Sequence, residues 1–385
     1  MDFSLSQEHQ ILRKTVRDFA ENEIKPVAEQ LSRDEKFSVE LTEKMGDLGL
    51  FGCVVDPDYD GQGMDYLSYI IAVEEIARVD GSQAATVAAG NSLGIWPIFN
   101  FGTDQQKQKY LPDLCTGRRL FGFGLTEPDA GSDAGGSKTK AVKQNGKWII
   151  NGSKIFITNA ANELSWGSVV QCVTGKDENG RKEYTCFILE NDMPGFEAKA
   201  MHHKLVWRAS NTAELYFTDV EVSEENMLGK RGDGFKQMLA TLDGGRLSIG
   251  AMGLGCAQGA FEAAARYACE RKQFGKRIVD FQNTQFVLAD MAMHIEAARN
   301  LLYKATWLKQ EHKPFKREAA MAKLYCSEVA KKCADHCVQI HGGYGLMEEF
   351  SAERYYRDQR LLQIGEGTSE IQRVVIARQI IEEFE

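Results

Sequence analysis

Residues 145–150 are Asn145-Gly146-Lys147-Trp148-Ile149-Ile150, a two-residue turn signal followed at once by large apolar side chains. Asn-Gly beside an apolar run is typical of a β-hairpin, because both residues tolerate the left-handed backbone of a type I′ turn. Further strand-like runs lie nearby at 154–158, 168–173, 184–189 and 213–217. The sequence therefore predicts a β-rich region in the middle of the chain.

Helical patterns flank this region on both sides. Before it, Tyr69, Ile70, Val73 and Ile76 recur at spacings of three and four, the spacing of one helix face. After it, three long segments rich in Ala, Leu and Met predict an antiparallel helical bundle, at 238–270, 284–312 and 316–341. The predicted fold class is α+β, with an N-terminal helical domain at 1–120, a middle β domain resembling a barrel or sandwich at 121–230, and a C-terminal helical bundle domain at 231–385.

The composition excludes several classes of function. Of 385 residues, 43% are hydrophobic and 26% charged, and the formal net charge is −9. No cluster of Lys and Arg is dense enough to predict nucleic-acid binding, and no apolar stretch approaches the ~20 residues of a membrane span. The start, Met1-Asp2-Phe3-Ser4, lacks the basic and apolar segments of a secretory signal. With nine scattered cysteines, this predicts reduced thiols and a cytoplasmic location.

The most informative motif is Ile364-Gly365-Glu366-Gly367-Thr368-Ser369-Glu370-Ile371-Gln372. Glycines on both sides of the Glu366 carboxylate allow another group to approach it closely. Ser369 and Gln372 fit a capping box, which predicts a helix start with free N–H groups that suit an anion. The alternative is an ordinary glycine-rich loop with a solvated carboxylate, and the motif alone does not decide between them.

Three further segments could bind a ligand. Residues 121–133 offer hydroxyls and backbone donors, or they form a simple connector into the β domain. Residues 271–276, followed by Gln282, place two cations where they could hold a diphosphate, although the segment could equally be a helix C-cap ending at Gly275. Residues 339–345 contain glycines that would let backbone approach a ligand, or they mark a helix terminus.

Two other patterns predict structure rather than chemistry. Residues 253–259 resemble a dinucleotide-binding glycine motif, but they lie inside a helical pattern with no strand before them. Cys333, Cys337 and His341 fall on one helix face, yet three ligands without a second pair favour buried thiols over a metal site. No metal is therefore predicted.

Taken in order, the motifs resemble the acyl-CoA dehydrogenase family across nearly the whole chain. The matching segments are Leu125-Thr126-Glu127-Pro128 with Ala130-Gly131-Ser132-Asp133, Asn151-Gly152, Ile157-Thr158-Asn159, residues 271–275 with Gln282, Gln339 with Gly342-Gly343, and Glu366-Gly367-Thr368-Ser369. The resemblance implies a helical domain, a β domain and a four-helix bundle. It also implies FAD as cofactor, acyl-CoA as substrate, electron-transferring flavoprotein as electron acceptor, and a homotetramer whose subunits share the flavin sites.

The resemblance assigns roles to individual residues. Residues on the isoalloxazine side would be Phe123, Leu125, Thr126, Ser132, Phe156 and Thr158. Residues given by a neighbouring subunit to the diphosphate and adenosine would be Arg271, Phe274, Gln282, Gln339, Gly342 and Gly343, with Thr368 and Glu370 completing the nucleotide contacts. Residues near the acyl-CoA would be Asp243, Arg246, Ser132, Gly365 and Gly367.

Glu366 is then the expected catalytic base. Oxidation of a thioester at Cα–Cβ requires a base for the α-proton and an acceptor for the β-hydride, which would be the flavin. The resemblance assigns hydrogen bonds to the thioester oxygen from the Glu366 N–H and a ribityl hydroxyl, where enolate charge develops. An apolar site should raise the carboxyl pKa towards neutrality. Some relatives carry their base at the position of Gly245, which here has no side chain, so Glu366 has no rival.

The acyl group is less certain from the sequence. Relatives that oxidise glutaryl-CoA carry an arginine in the segment before the Asn-Ser-Leu motif, and the corresponding stretch 84–90 is uncharged here, so the resemblance disfavours glutaryl-CoA. Gly365 stands where many straight-chain enzymes hold tyrosine, and with Ala89 and Gly90 it predicts a wider pocket for a short, branched or cyclic acyl group such as cyclohexane-1-carboxyl, unless Trp96 or Trp207 refills it. Phe156 also departs from a tryptophan frequent in the family. The alternatives are a butyryl-CoA dehydrogenase, an oxidase (less expected at this chain length), and a non-catalytic flavin-binding paralogue.

Overall fold

The structure, a computed structural model, describes residues 4–385. The first three residues, part of the segment used above to argue against a secretory signal, lie outside the described residues. Helices form both ends of the chain and a β-sheet forms its middle, as the sequence predicts. In the described range, no helix is both long and apolar enough to cross a bilayer.

The N-terminal region contains seven helices. Side-chain oxygens of Ser6, Ser38, Asp65, Asp80 and Thr103 accept N–H bonds at the starts of five of them, which explains where those helices begin. The fourth and fifth are almost completely buried and form the centre of the molecule. The bounds are α1 Gln7–Phe19, α2 Lys25–Arg33, α3 Val39–Asp47, α4 Tyr66–Ala77, α5 Gly81–Ala89, α6 Trp96–Phe101 and α7 Asp104–Cys115.

The middle region is a single eight-stranded sheet. Its strands are β1 Leu120–Gly124, β2 Lys140–Gln144, β3 Lys147–Thr158, β4 Ser165–Lys176, β5 Lys182–Glu190, β6 Phe196–Ala200, β7 Thr212–Val222 and β8 Met227–Leu228. They follow the order β6-β7-β3-β2-β4-β5-β8, with β1 parallel to β4. In this path β6 and β8 are the ends, so the hydrogen bonding does not close into the barrel that was one of the expected shapes.

The Asn145-Gly146 hairpin is confirmed. It joins β2 and β3, and both turn residues have positive φ, 49° and 83°, as a type I′ turn requires. The other four predicted strand runs fall within β3, β4, β5 and β7. The sheet buries its own core, which includes Trp148, Ile150 and Phe187. The short strands β1, β6 and β8 were not predicted.

The C-terminal region contains the bundle. Its elements are α8 Gly234–Glu270, β9 Lys272–Gln273, β10 Lys276–Arg277, α9 Gln282–Gln310, α10 Lys316–His341, α11 Ala352–Asp358 and α12 Ser369–Ile381. Helices α8, α9 and α10 pack on one another, and α12 packs on α10. The glycines at 253–259 are explained by close packing inside α8: a Cβ on Gly255 would lie 2.2 Å from the Glu74 carbonyl oxygen, and one on Gly259 would lie 2.0 Å from that of Arg78.

One local prediction is wrong, and one alternative that was left open is excluded. The cap of α12 is Thr368 rather than Ser369, because the Thr368 hydroxyl accepts the Ile371 N–H at 3.3 Å. Gly275 does not cap a helix. With Phe274 it forms the two-residue turn between β9 and β10, in which both residues have positive φ. The β-ribbon was not predicted because it is only two residues long on each side.

The cysteines are all free, and every one except Cys269 is buried. The buried thiols occur in all three regions of the chain. Burial raises the pKa of Cys53, Cys115, Cys172, Cys333 and Cys337 to about 12. Thiols held in this way are not reactive near neutral pH.

Candidate active site

Glu366 lies in the short loop between α11 and α12, with its backbone in the left-handed region at φ 51°. Its side chain points at α8, where Gly245 presents no side chain. A Cβ on residue 245 would lie 1.9 Å from the Glu366 Oε2 atom. Oε2 is buried and has no hydrogen-bond partner among the described residues. A buried carboxylate oxygen without a partner is rare and marks a position where a ligand can complete the bonding.

The surroundings of Glu366 bring its pKa close to neutral pH. Burial raises the pKa of Glu366 to about 7, while Lys323 and Arg246 act in the opposite direction. Burial in turn lowers the pKa of Lys323 to about 8, against the influence of Glu366. A carboxyl that titrates near pH 7 suits a general base, because both its protonation states are accessible there.

Two side chains fasten the Glu366 loop to the bundle. The Lys323 Nζ atom of α10 donates to the Gly367 carbonyl at 2.7 Å. The Gln372 Nε2 atom of α12 donates to the same oxygen at 2.9 Å and to the Glu366 carbonyl at 3.3 Å. The Glu366 N–H has no acceptor among the described residues and is free to donate to a ligand. The carbonyls of Glu366 and Gly367 are therefore hydrogen-bonded, and the Glu366 N–H is available.

The space beside Gly365 is filled, which corrects the expectation of a wider pocket there. A Cβ on residue 365 would meet the Leu361 Cδ2 atom at 2.8 Å, and one on Gly90 would meet the Phe51 ring at 2.7 Å. Neither of the two tryptophans suggested as fillers is among the nearest neighbours of Gly365 or Gly90. Trp96 packs on Phe101, and the Trp207 indole covers Gly81. The geometry at Gly365 and Gly90 therefore gives no support for a bulky acyl group.

Arg246 and Asp243 form an ion pair one helical turn apart on α8. Arg246 is buried, and its Nε atom has no hydrogen-bond partner among the described residues. Gly245, which immediately precedes Arg246 on α8, faces Glu366. The structure thus brings Glu366, Gly365, Gly367 and Arg246 to one end of the bundle.

The β-domain residues assigned to the flavin lie on β1, the following loop and β3. Phe123 and Leu125 are buried, Thr126 and Thr158 are half-buried, and Ser132 is exposed. Phe156 is 62% exposed and has φ 63°, so the backbone turns its ring outwards into solvent. The Thr126 carbonyl accepts the Ile155 N–H at 3.0 Å, which joins the loop to β3.

The remaining assigned residues lie at or near helix ends, most of them around the end of α8, the start of α9 and the end of α10, and Thr368 and Glu370 at the start of α12, close to Glu366. Arg271, Gly342 and Gly343 line one open cleft of about 560 Å³, and a Cβ on either glycine would meet nothing within 4 Å. Phe274 stands 93% exposed at the tip of the β9–β10 turn. Gln282, Gln339 and Glu370 are exposed, and the Thr368 hydroxyl is used to cap α12.

Comparison with known protein families gives matches along nearly the whole chain. Family models match at residues 6–118 for the acyl-CoA dehydrogenase N-terminal domain, at 122–220 for the middle domain and at 232–381 for the C-terminal domain. The chain belongs to the acyl-CoA dehydrogenase family. The family resemblance stated from the motifs is confirmed, as is the enzyme class, a FAD-dependent acyl-CoA dehydrogenase.

Individual relatives match this acyl-CoA dehydrogenase over its full length. A probable acyl-CoA dehydrogenase of Bacillus subtilis is 48% identical over 99% of this chain and 100% of its own. The solved butyryl-CoA dehydrogenase of Megasphaera elsdenii is 44% identical, with a TM-score of 0.95 and coverage of 99% and 100%. A chain solved in work on the electron-transferring flavoprotein of Acidaminococcus fermentans is also 44% identical, with a TM-score of 0.94 and coverage of 99% of both chains.

The residues of this acyl-CoA dehydrogenase fit a cofactor of the size and charge of FAD. The exposed Phe156 ring offers a flat apolar surface to a ring system. The Arg271 cleft offers a cation beside two glycines whose backbone is open to close approach, an arrangement suited to a diphosphate. Ser168 Oγ and Asn159 Oδ1 add buried polar atoms without partners in the described β region.

Sequence reasoning missed two residues of the site, Lys323 and Tyr69. Lys323 is a single lysine in a run of Ala, Met and Leu on α10, a pattern that could have marked a buried cation. Tyr69 is buried on α4 and donates to the Ala88 carbonyl at 2.9 Å. Burial raises its pKa, and the charge of Glu366 contributes in the same direction. Its apolar helix face had indicated only core packing.

A buried ion pair holds the loop after β1. Lys154 Nζ lies 2.9 Å from Glu127 Oε1 and donates to the Leu125 carbonyl at 3.1 Å, and both side chains are buried. Burial acts to raise the pKa of Glu127, but Lys154 and two backbone N–H bonds lower it overall. The pair fixes Leu125 and Thr126, both assigned to the flavin.

Glu127→Gln should lower the free energy of unfolding by about 3 kcal/mol, because it leaves the Lys154 charge buried without a counter-charge. Urea unfolding at pH 7 measures the change. Asp129→Asn is the matched control on the same loop. Its partner Lys138 is 2.9 Å away, but both groups are largely exposed, so a loss of no more than about 0.5 kcal/mol is expected. Equal losses in the two variants would contradict the role of the buried pair.

Proposed function

We propose that this enzyme dehydrogenates a short-chain acyl-CoA at Cα–Cβ, with Glu366 as the base. The observation that carries the proposal is the buried Glu366 Oε2 atom, which faces the bare backbone of Gly245 without a hydrogen-bond partner in the described chain. Its pKa of about 7 suits proton abstraction at neutral pH. The alternative of a non-catalytic paralogue does not explain a carboxyl poised in this way.

The residues divide the chemistry as follows. Glu366 takes the α-proton, and its free backbone N–H donates to the thioester oxygen as negative charge develops there. Gly245, which has no side chain, leaves the space that the Glu366 carboxylate occupies beside α8. Arg246 and Asp243 lie beside it on α8 and contact the CoA. FAD, when bound, accepts the β-hydride.

The cofactor contacts are proposals of the same kind. Phe123, Leu125, Thr126, Ser132, Phe156 and Thr158 would hold the ring system. A second group, which comprises Arg271, Phe274, Gln282, Gln339, Gly342 and Gly343, would hold the diphosphate and adenosine of a neighbouring subunit, with Thr368 and Glu370 completing the nucleotide contacts. An exposed Phe274 is expected if a partner copy covers it, which supports a homotetramer.

A straight short acyl group is favoured over a branched or cyclic one. Leu361 and Phe51 occupy the spaces beside Gly365 and Gly90, and the similar Megasphaera enzyme is a butyryl-CoA dehydrogenase. The present chain is also similar to the chain solved in work on the electron-transferring flavoprotein of Acidaminococcus fermentans, which supports an electron-transferring flavoprotein as the electron acceptor here. We also propose three domains, with limits at 1–120, 121–230 and 231–385, and a cytoplasmic location for the enzyme.

Anaerobic bleaching of the flavin by a panel of thioesters tests this specificity. Butyryl-CoA should give a kcat/KM at least tenfold above those of isobutyryl-CoA, cyclohexane-1-carboxyl-CoA and glutaryl-CoA. Faster bleaching by the cyclic thioester would restore the wider-pocket hypothesis. Rapid H₂O₂ formation on reoxidation in air would instead indicate an oxidase.

A further inference from the structure

Lys323 is a fully buried lysine at the edge of the active site. Its side chain has 0% exposure, and its Nζ atom donates to the Gly367 carbonyl, the oxygen that follows Glu366 in the chain. On the described residues no carboxylate forms an ion pair with it. A buried ammonium without a paired charge is costly, so its retention at this position needs an explanation.

The surroundings of Lys323 and Glu366 contain few other charges. Arg246 of α8 is the second cation that acts on both groups. On α10 itself Glu328 accepts a hydrogen bond from Ser369, and on α12 Glu370 is exposed. Both carboxylates act on Lys323 more weakly than Glu366 does. From α4, the buried Tyr69 hydroxyl also interacts with Glu366.

We propose that Lys323 is a positioning residue that fixes the Glu366 loop through the Gly367 carbonyl and whose positive charge favours the ionised form of the Glu366 carboxyl. This inference rests on the proposed function, in which Glu366 is the base. Both effects come from one buried group: its hydrogen bond sets where the carboxylate lies, and its positive charge sets the pH at which the carboxylate can accept a proton.

The sign of the effect follows from the electrostatics. Lys323 lowers the pKa of Glu366 against the dominant effect of burial. Without the lysine charge, that pKa should rise, because an opposite charge nearby favours the ionised form of a carboxyl. The base would then be protonated at pH 7 and become active only at higher pH. A purely structural lysine would not move a pH profile in this way.

Deuterium exchange into acetyl-CoA isolates the proton transfer. Acetyl-CoA has α-protons but no β-hydrogen, so it cannot be dehydrogenated. One α C–H bond breaks as its proton moves to Glu366, and a C–D bond forms when the exchanged carboxyl returns a deuteron from D₂O. No electrons are transferred. Mass spectrometry of acetyl-CoA incubated with the holoenzyme at pH 5.5–9.5, with an enzyme-free blank, gives the exchange rate.

We expect the acid limb of the exchange profile to move up by at least one pH unit in Lys323→Met, with a rate at least tenfold lower at pH 7 that recovers at high pH. Lys323→Gln, a second neutral variant that keeps a polar side chain, should show the same shift. Lys323→Arg, which keeps the charge, should restore much of the profile. Lys331→Met, on an exposed position of the same helix, should not alter it.

Two results would overturn the inference: an unshifted profile in both neutral variants, or a rate that falls equally at every pH. Glu366→Gln separates this failure from failure of the proposed function. If that variant still exchanges the α-protons, Glu366 is not the base, whatever the Lys323 variants do. If it is inactive while the neutral Lys323 variants keep the wild-type profile, only the role of Lys323 is wrong.

Discussion

Glu366→Gln should lower the rate of flavin reduction by butyryl-CoA by about a thousandfold or more, because the amide cannot accept the α-proton. FAD should stay bound, since Glu366 is not among the residues assigned to it. Stopped-flow absorbance of the flavin under anaerobic conditions measures the rate. Glu382→Gln, the same isosteric change near the exposed end of α12, is the control and should reduce at the wild-type rate. Reduction that survives in Glu366→Gln would mean that another group takes the proton.

Glu366→Gln should also change how the stability of the protein depends on pH. The folded-state pKa of Glu366, about 7, lies above its ordinary value of 4.5. Its contribution to stability is therefore complete below about pH 4.5 and is lost as the pH rises through 7. Glutamine has no charge to bury, so the Tm of Glu366→Gln relative to wild type should increase between pH 5 and pH 8. A falling difference would contradict burial of the ionised carboxylate.

Gly245→Ala should lower kcat/KM about a hundredfold. A Cβ at this position would lie 1.9 Å from Glu366 Oε2, so the carboxylate must move, and a shift of about 1 Å in a reacting group can cost that much. Steady-state kinetics with butyryl-CoA measure the change. The flavin spectrum should stay normal, because the substitution faces Glu366 and not the residues assigned to FAD.

Gly244→Ala is the matched control, one residue earlier on α8. There the one close contact of a Cβ would be with the Lys309 Nζ atom, at 2.5 Å, the end of a flexible side chain that can move away, and the Tyr66 hydroxyl would lie at an ordinary 3.5 Å. Alanine also favours helix over glycine by up to about 1 kcal/mol. We expect near wild-type kcat/KM and equal or higher stability. Similar losses in both variants would show that α8 tolerates no added methyl group at this end, and that the Gly245 contact is not special.

The fold was predictable where the signal is local. Asn145-Gly146 specifies a two-residue turn through its own backbone preferences, and the long helices carry their spacing over many residues. The β9–β10 ribbon was not predicted because two-residue strands have no periodicity, and a helix C-cap at Gly275 was one of two alternatives left open. The α12 start was displaced by one residue, since Thr368 and Ser369 are both good capping residues.

The site was predictable in its residue types and less so in its geometry. Glu366 alone could have been a solvated loop carboxylate, and only the ordered motifs around it favoured a catalytic role. What fills the space beside Gly365 depends on Leu361 in the preceding turn, and what faces Glu366 depends on α8 and α10. Such through-space contacts have no signature in a single sequence. Lys323 was missed for this reason.

The buried thiols can be used as intrinsic labelling sites that report local opening of the structure. Cys53 and Cys115 lie in the N-terminal region, Cys172 and Cys186 in the sheet, and Cys256, Cys326, Cys333 and Cys337 in the bundle. A maleimide pulse modifies a buried thiol only while its surroundings are open. The number and place of the added masses would therefore show which of the three regions opens first and whether they open together.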